Sequence, residues 1–151
     1  MPATIVSDTS CLILLNKIGE LYLLQKLFGR VITTQIVADE FGKELPDWIS
    51  IQNPADGKKQ LILEAALDKG EASSIALALE KEDCLLIIDE LRGRKLAKRL
   101  GLTITGTLGV LAQARQNRYI SALKPLLNKI KQTDLRLSEQ LVQQTLKEVG
   151  E

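Results

Sequence analysis

The chain has 151 residues, 45% of them hydrophobic and 26% charged, the profile of a soluble globular protein with room for a sizeable core. Lys and Arg number 20 against 19 Asp and Glu, so the net charge of +1 excludes a strongly basic coat for nucleic acid, though not a local basic patch. There is no histidine, which excludes Ser-His-Asp triads, imidazole bases and His-ligated zinc or iron and leaves the chemistry to carboxylates, hydroxyls, Lys and Arg.

Met1-Pro2-Ala3 carries no basic n-region, so no secretory signal is expected. Thr4-Ile-Val-Ser7 is a short β-branched run ending at Asp8, which predicts a buried first strand. Thr9 or Ser10 then caps a helix, and Gly29 marks a stop farther on. Val31-Ile-Thr33 predicts a second strand, followed by a helix from Thr34 to Gly42. Trp48 to Ile51 reads as a third strand, with Pro46 and Pro54 as breakers on either side. A helix around Lys58 to Leu67 precedes Gly70, which opens another over Glu71 to Glu82. Cys84-Leu-Leu-Ile-Ile88, an unbroken apolar run into Asp89-Glu90, is the clearest strand. A helix runs on to Leu100, Gly101 closes it, and Leu102-Thr-Ile-Thr105 is a further strand. From Ser138 to Val149, helical spacing puts Leu141, Val142, Thr145, Leu146 and Val149 on one face, a closing helix that docks on the domain or on a partner.

Strands alternating with helices predict an α/β fold with a parallel sheet covered on both faces, and apolar strands that do not alternate agree with burial on both sides. No repeat, low-complexity tract or Ser/Gly-rich linker appears, so one domain over residues 1–151 is expected. No apolar run approaches the ~20 residues needed to span a bilayer. Cys11 and Cys84 are too few for a disulfide scaffold or a four-cysteine metal site; both sit in apolar segments, and a reducing cytoplasm is expected.

In open parallel sheets, ligands bind beyond the carboxyl ends of the strands. Asp8 and Asp89 follow two such ends. Either alone reads equally well as a helix cap; together they suggest a site. Glu40 adds to it: at roughly 100° per residue it falls between Ile36 and Val37 on the apolar face of its helix, while Asp39 falls on the polar side. A carboxylate turned inward needs a metal or a Lys or Arg partner. Glu71 follows Gly70 in the first turn of its helix, where the helix dipole alone would favour an acid, and the small residues Ala72-Ser-Ser-Ile-Ala76 let that helix end approach another element closely. Carboxylates gathered at one sheet edge would raise each other's pKa values, and a hard divalent cation resolves the conflict. Mg²⁺ or Mn²⁺ fits an all-oxygen set, and such an ion activates water and neutralises a leaving oxyanion in phosphodiester cleavage.

The pattern resembles the PIN-domain nucleases, in particular their toxin-like prokaryotic branch and, within it, the PIN-like domains of unknown function. Val6-Ser-Asp8-Thr-Ser10 is similar to that family's first-strand acid with its following hydroxyls, and Glu40 in Ile36-Val-Ala-Asp-Glu40 to its second acid. Glu71 in Gly70-Glu-Ala-Ser-Ser-Ile-Ala-Leu-Ala78 resembles the third, and Asp89 in Leu86-Ile-Ile-Asp-Glu90 the fourth. The likeness extends through Arg94, Ala97, Gly101 and Gly106-Thr-Leu-Gly109 to the ending around Arg136 to Glu151. It implies an α/β/α sandwich whose acids Asp8, Glu40, Glu71 and Asp89 hold Mg²⁺ or Mn²⁺ and cleave RNA. It also implies the toxin of a toxin–antitoxin pair, with an antitoxin as protein partner and a homodimer as assembly. Two positions depart from the family pattern: Glu71 stands where many members have Asp, and Glu90 where a second Asp is frequent, which leaves Asp89 as the expected ligand and Glu90 secondary.

Thr9, Ser10 and Thr107 are candidates to position water or a phosphate oxygen, with helix capping as the plain alternative. Thr107 opens a helix after Thr105-Gly106, where free backbone N–H groups favour anions. In Arg92-Gly-Arg-Lys-Leu-Ala-Lys-Arg99, helical spacing aligns Arg92, Lys95 and Arg99 as a phosphate-binding face or simply a solvated one. Aromatics are 3% of the chain, so base stacking is not expected to carry RNA binding. Leu21, Leu24 and Phe28 suit a dimer face and core packing equally. Two readings compete with the nuclease. An aspartyl phosphotransferase of the haloacid dehalogenase type would need a second Asp two positions after Asp8, where Ser10 stands. A non-catalytic PIN-like scaffold binding protein or RNA is the other.

Overall fold

The computed structural model describes residues 2–151; Met1, part of the segment read for a leader, lies outside them. The first and fourth strands are short apolar runs that each end on an acid at the start of the next helix. β1 (Thr4–Ser7) leads through Asp8 into α1 (Thr9–Lys17), with Asp8 itself, extended and without a side-chain capping bond, in the N-cap position assigned above to Thr9 or Ser10. The chain breaks at Gly19, whose φ of +75° suits a residue without Cβ, before α2 (Leu23–Phe28). β2 (Val31–Thr33), α3 (Gln35–Phe41) and β3 (Ile49–Ile51) follow, α3 ending on Gly42 in the left-handed region. α4 (Gly57–Glu64) and α5 (Lys69–Leu79) come next; α5 is opened by Asp68, whose side chain accepts from Glu71 N, rather than by Gly70. Then come β4 (Cys84–Ile87), α6 (Leu91–Arg99), β5 (Thr103–Thr105) and α7 (Thr107–Gln116). The chain closes with α8 (Lys124–Lys131), which the sequence reading lacked, and α9 (Glu139–Glu148).

The five strands form one parallel sheet in the order β3-β2-β1-β4-β5. Strand alternation sends Ile5 and Ile87 to one face, where α1, α2, α3, α7, α8 and α9 build the larger core. Val6, Leu86 and Ile88 point to the other, against α4, α5 and α6. The result is the three-layer α/β/α sandwich expected. Leu24 and Phe28 are spent in the larger core and Leu21 packs against it, so that face is core rather than a dimer surface. Cys11 and Cys84 are buried, and burial pushes both thiols up, Cys84 to about 11. On α9, Val142 and Leu146 are buried but Leu141 is exposed. No helix among the described residues is long and apolar enough to cross a membrane.

The sheet order reverses direction between β1 and β4, and a crevice opens there at the carboxyl ends of the two strands. Thr34 braces its wall. Its buried hydroxyl caps α3 at Val37 N (3.2 Å) and bonds Ser73 Oγ of α5 at 2.7 Å. Replacing it with Val removes both bonds, and urea denaturation is expected to show a loss of about 1–2 kcal/mol.

Candidate active site

Asp8 and Glu71 form the floor of the crevice. Asp8 leaves the end of β1, its backbone N–H held by Ile87 O at 2.9 Å, and is only 4% exposed. Ser74 Oγ lies 3.4 Å from its Oδ1. Burial pushes the Asp8 carboxyl up to about 7, helped by the charges of Asp68 and Glu40 and opposed in part by the Thr9 backbone N–H and the Ser74 hydroxyl. Glu71 lies in the first turn of α5, where Gly70 to Ala78 are all buried, and is itself 6% exposed. Its Oε2 is buried with no hydrogen-bond partner. Burial, a hydrogen bond with Asp68 and the charges of Asp68, Asp8 and Glu90 raise Glu71 to about 8. Both residues therefore hold carboxyl groups where an isolated anion is costly.

Glu40, Asp68 and Glu90 stand around them, and together with Thr9, Ser10, Ile13 and Leu135 complete a pocket of about 220 Å³. Glu40 departs from the sequence reading. It is exposed rather than turned into the apolar face, because the short α3 buries Val37 and Phe41 and leaves Glu40 at its edge. Thr9 Oγ1 donates to its Oε1 at 2.9 Å, and its carboxylate lies over Gly70, where a Cβ would collide with it. No Lys or Arg pairs with it: among the described residues the ion pair found is Arg115–Glu151, at 3.4 Å. Glu90 caps α6 through Gly93 N at 3.0 Å and sits on the pocket wall. The close approach of α6 to Glu71 depends on Gly93, where a Cβ would stand 2.8 Å from Glu71 Oε2 and 2.7 Å from Ile88 Cδ1. Gly93→Ala is expected to displace the Glu71 carboxyl and lower stability by about 1–3 kcal/mol, read by thermal melting.

Asp89 is drawn elsewhere. Both its oxygens are held by Thr107, Oδ1 by the backbone N–H at 2.7 Å and Oδ2 by the hydroxyl at 2.6 Å. The anion at the N-terminus of α7 is thus the chain's own Asp89, and Thr107 is fully buried beneath it rather than open to substrate. Asp89 borders a neighbouring groove, not the pocket of Asp8 and Glu71. Among the described residues, no three acidic or thiol side chains converge as they stand into a metal cage. Arg92, Lys95 and Arg99 line a second groove of about 470 Å³ that shares Glu90 with the acidic pocket.

A family model for the PIN domain matches residues 4–151. The chain belongs to the PIN-domain family. No curated protein and no solved structure significantly matches it.

In this PIN domain, three site features escaped the sequence reading. Asp68 was legible in principle: Asp68-Lys-Gly-Glu71 has the spacing of a capping box, and Asp68 Oδ1 does accept from Glu71 N at 2.8 Å. Ser74 reaches Asp8 only through the packing of α5 on β1. Leu135 comes from the connection between α8 and α9, with no local signal at all. Glu90, ranked second to Asp89, is the one of the two that faces the acidic pocket.

Proposed function

We propose that this PIN domain is a divalent-metal-dependent endoribonuclease, organised as one domain over its length, and that the acidic pocket is its active site. The observation that carries the reading is the pair Asp8 and Glu71, both buried, with an orphaned Glu71 oxygen and no cationic side chain among the described residues to neutralise them. The donor chemistry fits a hard cation: every candidate ligand is a carboxylate or hydroxyl oxygen. Asp8 and Glu71 would hold the ion from the floor and Glu40 and Glu90 from the rim, while Asp89 lies on the neighbouring groove and keeps Thr107 in place. Bound there, Mg²⁺ or Mn²⁺ would lower the pKa of a water and stabilise the leaving oxyanion of an RNA phosphodiester.

The chain's own groups do the rest. Ser74 orients Asp8, Thr9 orients Glu40, and Asp68 pins the first turn of α5 that carries Glu71. Ser10, on the pocket wall, would position a phosphate oxygen. Arg92, Lys95 and Arg99 hold the RNA backbone with salt-dependent affinity. The family resemblance supplies the setting: a cytoplasmic toxin, a homodimer, held in check by an antitoxin partner.

The test is cleavage of several RNAs by purified protein in Mg²⁺, Mn²⁺ or EDTA, alongside calorimetric titration of Mn²⁺. Cleavage that EDTA abolishes is expected. Folded protein that binds RNA but cuts none of it with either ion would move the conclusion to the non-catalytic scaffold.

A further inference from the structure

A groove of about 600 Å³ opens on the Asp89 side of the acidic pocket, between the start of α6, the β5–α7 turn and α9. Its walls are largely aliphatic, with Leu91 63% and Leu141 54% exposed, but two guanidiniums enter it, Arg94 from α6 and Arg136 from the α8–α9 connection. Each is anchored by a backbone carbonyl. Arg94 Nη1 donates to Ile88 O at 2.8 Å, and Arg136 Nη1 to Thr133 O at 2.8 Å. Neither has a carboxylate partner among the described residues, and each anchored fork keeps further N–H donors free. The one carboxylate on the groove wall, Asp89, is already held by Thr107, so two anchored guanidiniums leave the groove net cationic, a receptor for an anion.

The placement says which anion. Asp89 borders this groove and Glu90 borders the one lined by Arg92, Lys95 and Arg99, while Leu91 lines both. On the other side, Leu135 walls the acidic pocket and Arg136, the next residue, walls the groove. The two cationic grooves therefore meet at Leu91, and both lie beside the acidic pocket. A strand of phosphates running past a cleavage centre needs cations at more than one point along it, whereas a protein partner's carboxylate would need only one of them.

We infer that the Arg94–Arg136 groove is a nucleotide subsite for single-stranded RNA, gripping a different phosphate from the one held by Arg92, Lys95 and Arg99. Its aliphatic walls accept a base without aromatic stacking. The inference rests on the ribonuclease reading, and it adds two residues brought together by the fold from positions far apart in the chain.

The test is fluorescence anisotropy with a labelled oligouridylate in EDTA, so that nothing is cut, over a range of salt concentrations. Arg136→Gln is expected to weaken binding about fivefold near 0.1 M salt and make the log–log salt slope shallower by about 0.7, the change for one lost phosphate contact on a single strand. Arg94→Gln should do the same. Arg136→Lys should keep the slope and lose part of the affinity, and the exposed, distant Arg30→Gln should change neither. Unchanged slopes in both Gln variants, with Mn²⁺ still binding the acidic pocket, would sink the subsite and leave the nuclease standing. Wild-type protein that binds neither Mn²⁺ nor RNA sinks both. Unaltered RNA binding with loss of an acidic amphipathic peptide from the Arg136→Gln protein would assign the groove to a protein instead.

Discussion

Asp8→Asn is expected to lower metal-dependent RNA cleavage by well over about a hundredfold, since removing even an outer-shell partner of a metal ligand typically costs 10- to 100-fold. Glu71→Gln should match it, because these two carboxyls form the buried floor of the pocket. Asp89→Asn separates the family expectation from the geometry. Its carboxylate is committed to Thr107 and borders the adjoining groove, so its loss should fall short of the other two. The comparison is kcat/KM for all three variants in Mn²⁺, with melting curves to confirm folding. An Asp8→Asn protein that cleaves at the wild-type rate would remove the acidic pocket from the mechanism.

The same carboxyls make the metal-free protein less stable as pH rises. Asp8 is raised from 3.8 to about 7 and Glu71 from 4.5 to about 8, so between those values the folded chain binds more protons than the unfolded one. Unfolding free energy then falls with increasing pH from about 4 to about 8, by at most about 1.4 kcal/mol per pH unit for each group, and levels off above. Chemical denaturation in EDTA across that range should show the decline. Saturating Mn²⁺ should flatten it, since a cation that binds only the folded state stabilises the charged form. Asp8→Asn, which retains bulk but cannot ionise, should raise the melting temperature of the metal-free protein at pH 8 while losing the Mn²⁺ response. Stability and activity are expected to move in opposite directions at this residue. A metal-free protein whose stability is constant from pH 5 to pH 8 would mean that Asp8 and Glu71 titrate normally in the fold.

Helix boundaries show how local signals compete. Gly42 and Gly101 close their helices as expected because both occupy positive φ. Gly70 looked like an opening residue, yet the cap three residues before Glu71 is Asp68, a polar side chain that offers the free N–H groups an acceptor. α8 was invisible because its first turn relies on the far end of the described chain. Glu151 accepts from Leu123 N at 2.7 Å and Lys124 N at 3.1 Å, with Pro125 at the helix start as the only local hint.

What the sequence by itself determined is the periodic part of the problem. Short apolar runs alternating with helical stretches specify parallel strands under two helical layers, and with them the strand ends that carry Asp8 and Asp89. By omitting histidine it also left the chemistry to carboxylates, hydroxyls, Lys and Arg. Only the tertiary structure decided which acids meet. Asp89 and Glu90 are neighbours in the chain, but the α7 N-terminus takes the first and the pocket the second, because the free N–H groups and the Thr107 hydroxyl at that helix start offer Asp89 two donors. Glu40 reaches the rim through the packing of α3 against α1 and α5, and Arg136, on the α8–α9 connection, shares a groove with Arg94 only in the folded chain. Helical and strand periods are written in neighbouring residues. Convergence of charges is set by long-range packing, which no window of the sequence contains.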